Sequence, residues 1–360
     1  MVTMRLLTSR HICVLCVAVL AAGCRSDNIF DSPAEVVKPD VCHEISGTQL
    51  EPGNGYPSGI VNLVAADSVL VLKTANPLNH NQFHIYDLST GQYVGSYVGR
   101  GRGPGELISP VLSGTFSDEE YGRSLYIFAL NDNAAYGLDI PPGSREEQNM
   151  PLFKIGALPS GTLNALPYHD SLHCIKKPQR TGMDYSICDR TGKILRTFNV
   201  YGDVSGTGCF DRLSSADIIM PGGSPVAMAM SFLPQINFLN LETGDRHAVV
   251  LPGRHVSWTD AMTGENDDKK VYYTSICGSA GHLFALYFGI PFDTWVKGAG
   301  IPHIHIFDWS GNFLCDLSLH EKIKAITCDS DERIYGVDQD DRVYRYDMDL
   351  SFNHEKLIPE

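Results

Sequence analysis

The sequence predicts an all-β fold assembled from repeated four-stranded units, and three observations predict it. Charged residues make up only 19% of the chain and hydrophobic residues 43%, which favours a folded β-rich protein over a disordered chain or a coiled coil. The chain also contains 34 Gly and 20 Pro, residues that form tight turns between short strands. Finally, one strand–turn–strand pattern recurs along the chain, as repeat architectures require.

The recurring pattern is an alternating apolar strand that ends in Asp or Asn, then a Ser/Thr-Gly turn and a second alternating strand. The clear copies are His84–Gly91, Ile187–Gly192, Phe238–Gly244 and Ile306–Gly311, and weaker copies end at Asp139 and Asp347. The Asp or Asn positions are 87, 139, 189, 240, 308 and 347, which are 52, 50, 51, 68 and 39 residues apart. Units of this length with several short strands are typical of propeller blades, so the sequence predicts a six-bladed β-propeller of four-stranded antiparallel blades.

A propeller ring must also be closed, because an open ring exposes the edges of its first and last blades. The last unit has three predicted strands between Ile323 and Asp347 and needs a fourth. Either Val41–Leu50 or Asn353–Pro359 could supply that strand, and we favour the N-terminal segment. The sequence thus predicts one propeller domain over residues 41–360.

The first residues of the chain resemble a bacterial lipoprotein signal. Basic residues precede an apolar run, Ile12–Ala22, that is too short to cross a hydrocarbon core of ~30 Å. The run continues into Leu20–Cys24, where small residues stand directly before the cysteine, as in a lipobox. We predict a signal peptide over residues 1–23, lipidation of Cys24, and a lipid-anchored tether over residues 24–40. The alternative is an ordinary secretory signal with an incidental cysteine.

A glycine-rich segment carries a resemblance to a known group of propellers. Gly99–Leu107, followed by Pro110, resembles the G-x-G-P-G-E-F segment of NHL-type and TolB-like propellers. Two later stretches are similar to the same group, Tyr272–Tyr273 with Leu283–Tyr287 and Ile304–Asn312. Over residues from about 45 to 350 the chain resembles the TolB-like six-bladed propeller lipoproteins of gut Bacteroidetes. The resemblance implies fold and envelope location but no activity, and Leu107 stands where Phe is usual.

The same glycine-rich segment holds the first candidate ligand-binding residues. It is not a phosphate loop, which needs Lys-Ser/Thr after the last Gly, because Pro104 and Glu106 occupy the critical positions. It is instead predicted to connect two blades, with glycines at dihedral angles closed to other residues. Arg100 and Arg102 would present guanidinium groups to a carboxylate or sulfate, with Glu106 beside them. The alternative is a solvated loop.

The long fourth interval between repeats holds the second group of candidate residues. Its excess length lies partly around Ile290–Pro302, and long loops on a rigid scaffold often carry function. Phe292, Trp295 and Lys297 would form a projecting aromatic contact suited to a glycan or a protein. The alternative is a loop folded back over its blade.

No catalytic or metal-binding pattern is complete in the sequence. There is no Gly-x-Ser-x-Gly elbow, and the cysteines after residue 24 form neither a CxxC pair nor a Cys/His zinc pattern. His303 and His305 would face the same side of a strand as a metal pair, but packing histidines are the favoured interpretation. Acidic runs at Asp329–Glu332 and Asp338–Asp341 lack the calcium-loop pattern and are predicted to be turns.

Three function hypotheses follow from these observations, the third of which is a structural ring within a larger envelope complex. The leading one is a non-enzymatic, lipid-anchored module of the cell envelope that needs no cofactor and binds a protein, peptide or glycan. The lipid anchor would be its only membrane contact, at the outer membrane, in a periplasmic or a surface orientation. A net charge of −14 argues against nucleic acid as a partner. The alternative is a lactonase- or lyase-like propeller enzyme with a divalent metal in the central channel, where each of several blades supplies one ligand.

Overall fold

The fold is a closed ring of six β-sheets. The structure, a computed structural model, describes residues 34–37, 42–52, 55–118, 122–140, 152–169, 171–179, 182–201, 213–251 and 269–348. The first strand of each sheet lies against the first strands of both neighbouring sheets. The chain is therefore a six-bladed β-propeller, as the sequence predicts.

Three short strands precede three blades of consecutive antiparallel strands. The short strands are β1 (Ala34–Val36), β2 (Cys42–Ile45) and β3 (Thr48–Leu50). Blade 1 consists of β4 (Ile60–Ala66), β5 (Val69–Thr74), β6 (Asn81–Asp87) and β7 (Tyr93–Gly99). Blade 2 consists of β8 (Pro110–Asp118), β9 (Gly122–Ala129), β10 (Ala134–Asp139) and β11 (Leu152–Ala157). Blade 3 consists of β12 (Asn164–Tyr168), β13 (Leu172–Gln179), β14 (Gly182–Asp189) and β15 (Ile194–Asn199).

In the second half of the ring, the described residues include one helix in addition to the strands. Blade 4 consists of β16 (Ser215–Ile219), β17 (Val226–Met230), β18 (Gln235–Leu239) and β19 (Arg246–Val250). Blade 5 consists of β20 (Lys270–Gly278), β21 (His282–Pro291), β22 (His303–Asp308) and β23 (Phe313–Leu319), with helix α1 (Phe292–Val296) between β21 and β22. Blade 6 consists of β24 (Ile323–Cys328), β25 (Ile334–Asp338), β26 (Val343–Tyr346) and β3.

The three N-terminal strands, which we call the strap, lie along the outer edges of three successive blades. β1 pairs in parallel with β19, and β2 pairs in parallel with β23, so blades 4 and 5 each gain a fifth strand. β3 pairs antiparallel with β26 and completes blade 6. The N-terminal segment that the sequence analysis favoured therefore closes the ring. Ala34–Val36 belong to the predicted tether, and the structure pairs them with blade 4.

The recurring Asp or Asn lies at the end of the third strand in every blade. In blade 1, Asp87 Oδ1 accepts hydrogen bonds from the backbone N–H groups of Ser89 and Thr90, at 2.9 and 2.8 Å. The Ser89 hydroxyl, which donates to the same oxygen, is the main reason that the pKa of Asp87 lies below its ordinary value. Gly91 takes a φ of 69° within the same turn. The motif recurs because its side chains fix the hairpin between the third and fourth strands.

The hydrophobic core is divided among the junctions between blades. Among the described residues there are six apolar clusters, one between each pair of neighbouring blades. Between blades 1 and 2, for example, Phe83 and Ile85 pack with Leu125 and Ile127. Because the middle strands of a blade are buried on both faces, they read as nearly continuous apolar runs instead of alternating ones.

A buried histidine joins blades 2 and 3. The Nδ1 atom of His173 lies 2.8 Å from the hydroxyl oxygen of Tyr126, and the residue is 1% exposed. Burial lowers the pKa of His173 to about 4, from an ordinary value of 6.5, and the charge of Arg190 acts in the same direction. Between these two values the unfolded chain binds a proton that the folded chain does not. Stability therefore falls as the pH is lowered through this window.

We expect acidification from about pH 7 to about pH 5 to destabilise the wild type by about 2 kcal/mol more than the His173→Gln variant. The glutamine carbonyl keeps an acceptor for the Tyr126 hydroxyl but does not titrate. Urea unfolding at the two pH values measures the difference. The exposed His169 provides the matched control, since His169→Gln should behave like the wild type. An equal pH dependence in the wild type and His173→Gln would contradict the prediction.

Candidate functional site

A central channel passes between the first strands of the six blades. These strands, β4, β8, β12, β16, β20 and β24, enclose a cavity of about 850 Å³. The wall combines aliphatic side chains such as Val64, Ile276 and Ile326 with small polar ones such as Ser113 and Thr115. The volume lies within the roughly 300–1,000 Å³ of ligand-binding cavities.

Several polar side chains of the channel wall bond to the next blade. The Asn62 side-chain amide donates to the carbonyl oxygen of Leu112, at 3.0 Å, and so joins blades 1 and 2. The Thr327 hydroxyl oxygen accepts from the Ala65 N–H, at 3.1 Å, and so joins blades 6 and 1. The first strand of a blade has an edge without a partner strand, and its buried backbone groups need other hydrogen-bond partners. These side chains therefore hold neighbouring blades together.

The buried carboxylate beside the channel is also paired. The Asp217 side chain, on β16, is 1% exposed, and its Oδ2 atom lies 3.3 Å from Nζ of Lys176. The Tyr185 hydroxyl donates to Oδ1 at 3.1 Å, and the Asn164 side-chain amide donates to Oδ2 at 3.4 Å. Burial, and secondly the charge of Asp217, raise the pKa of Tyr185 well above its ordinary value. This network stabilises the junction between blades 3 and 4.

The alternation of antiparallel strands gives the ring two different ends. At one end lie the connections between the second and third strands of each blade and the connections between successive blades. We call this end the loop face. At the other end, the hairpin face, lie the turns between first and second strands and between third and fourth strands, which include the recurring Asp turns.

The glycine-rich segment Gly99–Leu107 lies on the loop face, where it connects β7 of blade 1 to β8 of blade 2. The Glu106 carboxylate accepts a hydrogen bond from the Gly103 N–H, at 2.8 Å. A Cβ atom on Gly101 would lie 2.0 Å from an oxygen of the same carboxylate, so a larger residue there would displace the Glu106 side chain. Glu106 therefore holds the shape of the loop, and the structure does not place it in contact with Arg100 or Arg102.

The two arginines of this loop are exposed to solvent. Arg100 Nη2 donates to the carbonyl oxygen of Ala75, at 3.4 Å, across the loop face of blade 1. Burial, together with the charge of Arg100, lowers the pKa of Lys73. Arg100 and Lys73 are thus close enough to interact, and Arg102 extends the positive charge along the loop. This arrangement can bind an anionic group such as a carboxylate or a sulfate.

Helix α1 lies on the loop face of blade 5 and carries the predicted aromatic residues. The ring centroids of Phe292 and Trp295 are 5.9 Å apart, and Phe232 lies 6.4 Å from Phe292. Phe232 belongs to the connection between β17 and β18 of blade 4. Nζ of Lys269 lies 3.6 Å from the centroid of Phe232, a cation–π contact. The aromatic residues therefore lie at the boundary between blades 4 and 5.

Large apolar side chains next to these rings are exposed. Val296 is 61% exposed and Ile301 is 62% exposed, and no residue of α1 is buried. Lys297 follows the helix and is exposed as well. We define the aromatic patch as Phe232, Phe292, Trp295, Val296 and Ile301. Exposed and half-exposed apolar side chains on one face are candidates for an interaction site.

The two predicted groups of residues lie on opposite sides of the same face. In a ring of six blades, the boundary between blades 1 and 2 is opposite the boundary between blades 4 and 5. The loop that carries Arg100 and Arg102, which we call the arginine loop, lies at the first boundary and the aromatic patch lies at the second. Phe292, Trp295 and Lys297 are predicted from the sequence, whereas Phe232 and Lys269 are not, because they belong to other connections and come near only in the folded ring.

Two further expectations from the sequence are a divalent metal in the central channel and a lipid anchor at Cys24. Among the described residues, three ligand atoms from His, Cys, Asp or Glu come within 4.8 Å of one another on blade 5, away from the channel. Cys24 and the predicted signal peptide lie outside the described residues. In the part of the chain that is described, no helix has the length and apolar character needed to span a membrane.

Comparison with known proteins gives matches at the level of structure. No family model matches the sequence, and no curated protein matches it. A Bacteroides fragilis NCTC 9343 protein named as exported is 12% identical, with a TM-score of 0.57, over 88% of this chain and 98% of its own. A member of the DUF4221 family from Bacteroides vulgatus ATCC 8482 is 10% identical, with a TM-score of 0.50, over 85% of this chain and 96% of its own. At such identities the matches show the propeller fold alone.

Proposed function

We propose that this protein is an exported, lipid-anchored propeller that binds a protein, peptide or glycan through the loop face without catalysing a reaction. One observation carries the proposal. The arginine loop and the aromatic patch, each of which contains residues predicted from the sequence, lie on the same face and on opposite sides of the channel mouth. A ligand that crosses the mouth would contact both.

The chemistry of the two groups suits such a ligand. Half-exposed aromatic rings supply a large contact area at low cost in side-chain entropy, and Trp is enriched among the residues that dominate binding energy. Arg100 and Arg102 would add charge-assisted hydrogen bonds to an acidic group of the ligand. The rigid ring holds both groups in fixed positions, so little ordering is needed on binding. No cofactor is required.

The location of the protein is part of the same proposal. The lipobox-like segment before Cys24 supports export and lipid anchoring in the cell envelope, at the outer membrane. The name of the Bacteroides fragilis neighbour as an exported protein agrees with export. The resemblance of the glycine-rich segment to TolB-like propeller lipoproteins supports the same assignment.

Site-specific photo-crosslinking in cells that produce the protein tests this role. A photo-reactive amino acid replaces Val296 in the aromatic patch or Leu195 on the outermost strand of blade 3. Leu195 is 52% exposed and is the matched control. We expect a discrete crosslinked partner from position 296 and none from position 195. In the same assay, Trp295→Ala and the double variant Arg100→Ala/Arg102→Ala should each weaken binding at least about tenfold, or about 1.4 kcal/mol.

The substituted side chains are exposed or half-exposed, so the variants should unfold at the same denaturant concentration as the wild type. Loss of crosslinking with unchanged stability therefore supports the proposal. Equal crosslinking from positions 296 and 195, or capture that all three substitutions leave intact, would rule out the loop face as the binding surface.

A further inference from the structure

Three side chains with metal-binding atoms meet at the outer edge of blade 5. They are Cys42 on β2, His303 on β22 and Asp316 on β23, and their ligand atoms all lie within 4.8 Å of one another. His303 Nδ1 is 2.8 Å from Asp316 Oδ1 and 3.9 Å from Cys42 Sγ. Neighbouring ligand atoms around a tetrahedral zinc ion lie about 3.3–3.6 Å apart, since each lies about 2.0–2.3 Å from the metal. Small movements of these side chains would therefore accommodate the ion.

The strand register places these residues on one face of the sheet. Cys42 lies directly opposite Asp316 in the parallel pair of β2 and β23, and Asp316 lies directly opposite His305 in the antiparallel pair of β23 and β22. His303 is two residues from His305 and therefore projects from the same face. The cluster depends on the strap, because β2 supplies the thiol.

Buried aromatic side chains lie behind the three ligand residues, on the side away from solvent. Nε2 of His305 lies 3.8 Å from Asp316 Oδ1, and the His305 residue is 2% exposed. The Tyr273 hydroxyl lies 3.1 Å from His305 Nδ1, and the Tyr287 ring stacks on the His305 ring with centroids 4.3 Å apart. His305 therefore interacts with the Asp316 carboxylate electrostatically, and the two tyrosines hold the His305 ring in position. On the other side Cys42 is exposed, which leaves a path for an ion from solution.

We propose that Cys42, His303 and Asp316 form a zinc site that ties the strap to blade 5. Thiolate, imidazole and carboxylate are the ligand types that Zn²⁺ takes in proteins, whereas Ca²⁺ and Mg²⁺ prefer oxygen ligands alone. Water completes the coordination. On binding, the Cys42 thiol releases its proton to solvent, and His303 Nδ1 gives up the proton that it donates to Asp316. The metal-bound ring is neutral, with its one proton on Nε2. No oxidation or reduction is involved.

Cobalt substitution tests the site directly, because a thiolate bound to Co²⁺ gives a near-ultraviolet charge-transfer absorption. We expect the purified protein to bind one Co²⁺ with this absorption, and equimolar Zn²⁺ to remove it. Cys42→Ser should abolish the band, while His303→Gln and Asp316→Asn should each weaken Co²⁺ binding at least about tenfold. The control is Cys315→Ser, a neighbouring thiol on the opposite face of the same strand, which should keep the band.

The unfolding midpoint with and without Zn²⁺ is a second measurement, which also shows whether a variant folds. Zn²⁺ should raise the unfolding midpoint of the wild type and of Cys315→Ser but not that of Cys42→Ser. Cys42 is exposed, so its serine variant should fold. The proposal is wrong if the wild type gives no charge-transfer band, or if the band survives in Cys42→Ser. It is also wrong if His303→Gln and Asp316→Asn bind Co²⁺ as tightly as the wild type.

Discussion

A chain that begins at residue 51 will be less stable to unfolding, by about 4 kcal/mol, than a chain that begins at residue 34. The shorter chain lacks β3, so the edge of β26 and the apolar junction against which Leu50 packs become exposed. It also loses the bonds from the Gly47 N–H to the Glu321 carboxylate, at 3.1 and 3.2 Å. Each lost hydrogen bond is worth about 0.5–1.5 kcal/mol, and the unpaired edge adds to the loss.

The covalent path around the ring explains why this effect should be large. β3 belongs to blade 6, and the chain continues from it to β4 of blade 1. Without β3, only side-chain contacts hold these two blades together. They include the Asp341 carboxylate, which accepts from the N–H groups of Gly59 and Ile60 at 2.6 and 3.0 Å.

Urea unfolding of a truncation series measures the effect. A chain that begins at residue 47 lacks β1 and β2 but keeps β3, and it serves as the control. We expect the largest fall in the unfolding midpoint between the chains that begin at residues 47 and 51. Equal midpoints for these two chains would show that β3 does not close the ring.

The second large loss of stability is expected when the charge of Asp217 is removed. Asp217→Asn keeps the shape of the side chain but leaves the Lys176 ammonium group, 7% exposed, without its counter-ion. Removing one partner of a buried ion pair costs about 3–5 kcal/mol, because the remaining charge stays buried. Unfolding by urea should show a loss of this size. The double variant Asp217→Asn/Lys176→Met should recover part of it, since the unpaired charge is then gone.

An exposed ion pair in the same molecule provides the comparison. Arg123 and Asp67 also form an ion pair, but their side chains are 45% and 49% exposed. Such pairs contribute at most about 1 kcal/mol, so Asp67→Asn should change stability little. If Asp217→Asn and Asp67→Asn destabilise the protein equally, burial of the Lys176–Asp217 pair has no special energetic role.

Local chemistry explains why the sequence predicted the blades. The hydrogen bonds made by Asp87 join residues two and three positions apart, so the complete turn can be recognised from a few consecutive residues of the sequence. The closing strand was also predictable, because an unpaired last blade requires a partner. The strands β1 and β2 were not predictable in the same way, since both are short and the residues of β2 are mostly exposed.

The candidate sites depend on contacts between distant parts of the chain. Cys42 and His303 are 261 positions apart, and Phe232 approaches Phe292 only because blades 4 and 5 are neighbours in the ring. No spacing rule connects such residues. The sequence could therefore indicate which single segments carry aromatic and basic side chains, but not which segments share a face or a strand register.

The strap also determines how the molecule would carry a mechanical load from the membrane. Ala34 is ten positions after Cys24, so a chain anchored at Cys24 can extend by at most about 36 Å before tension reaches β1. The strap strands would then detach in series, β1 from blade 4 and β2 from blade 5, before force reaches β3 and the circular closure. In a chain anchored in this way, the two parallel pairs would break first, and the ring would remain closed until the force reaches β3.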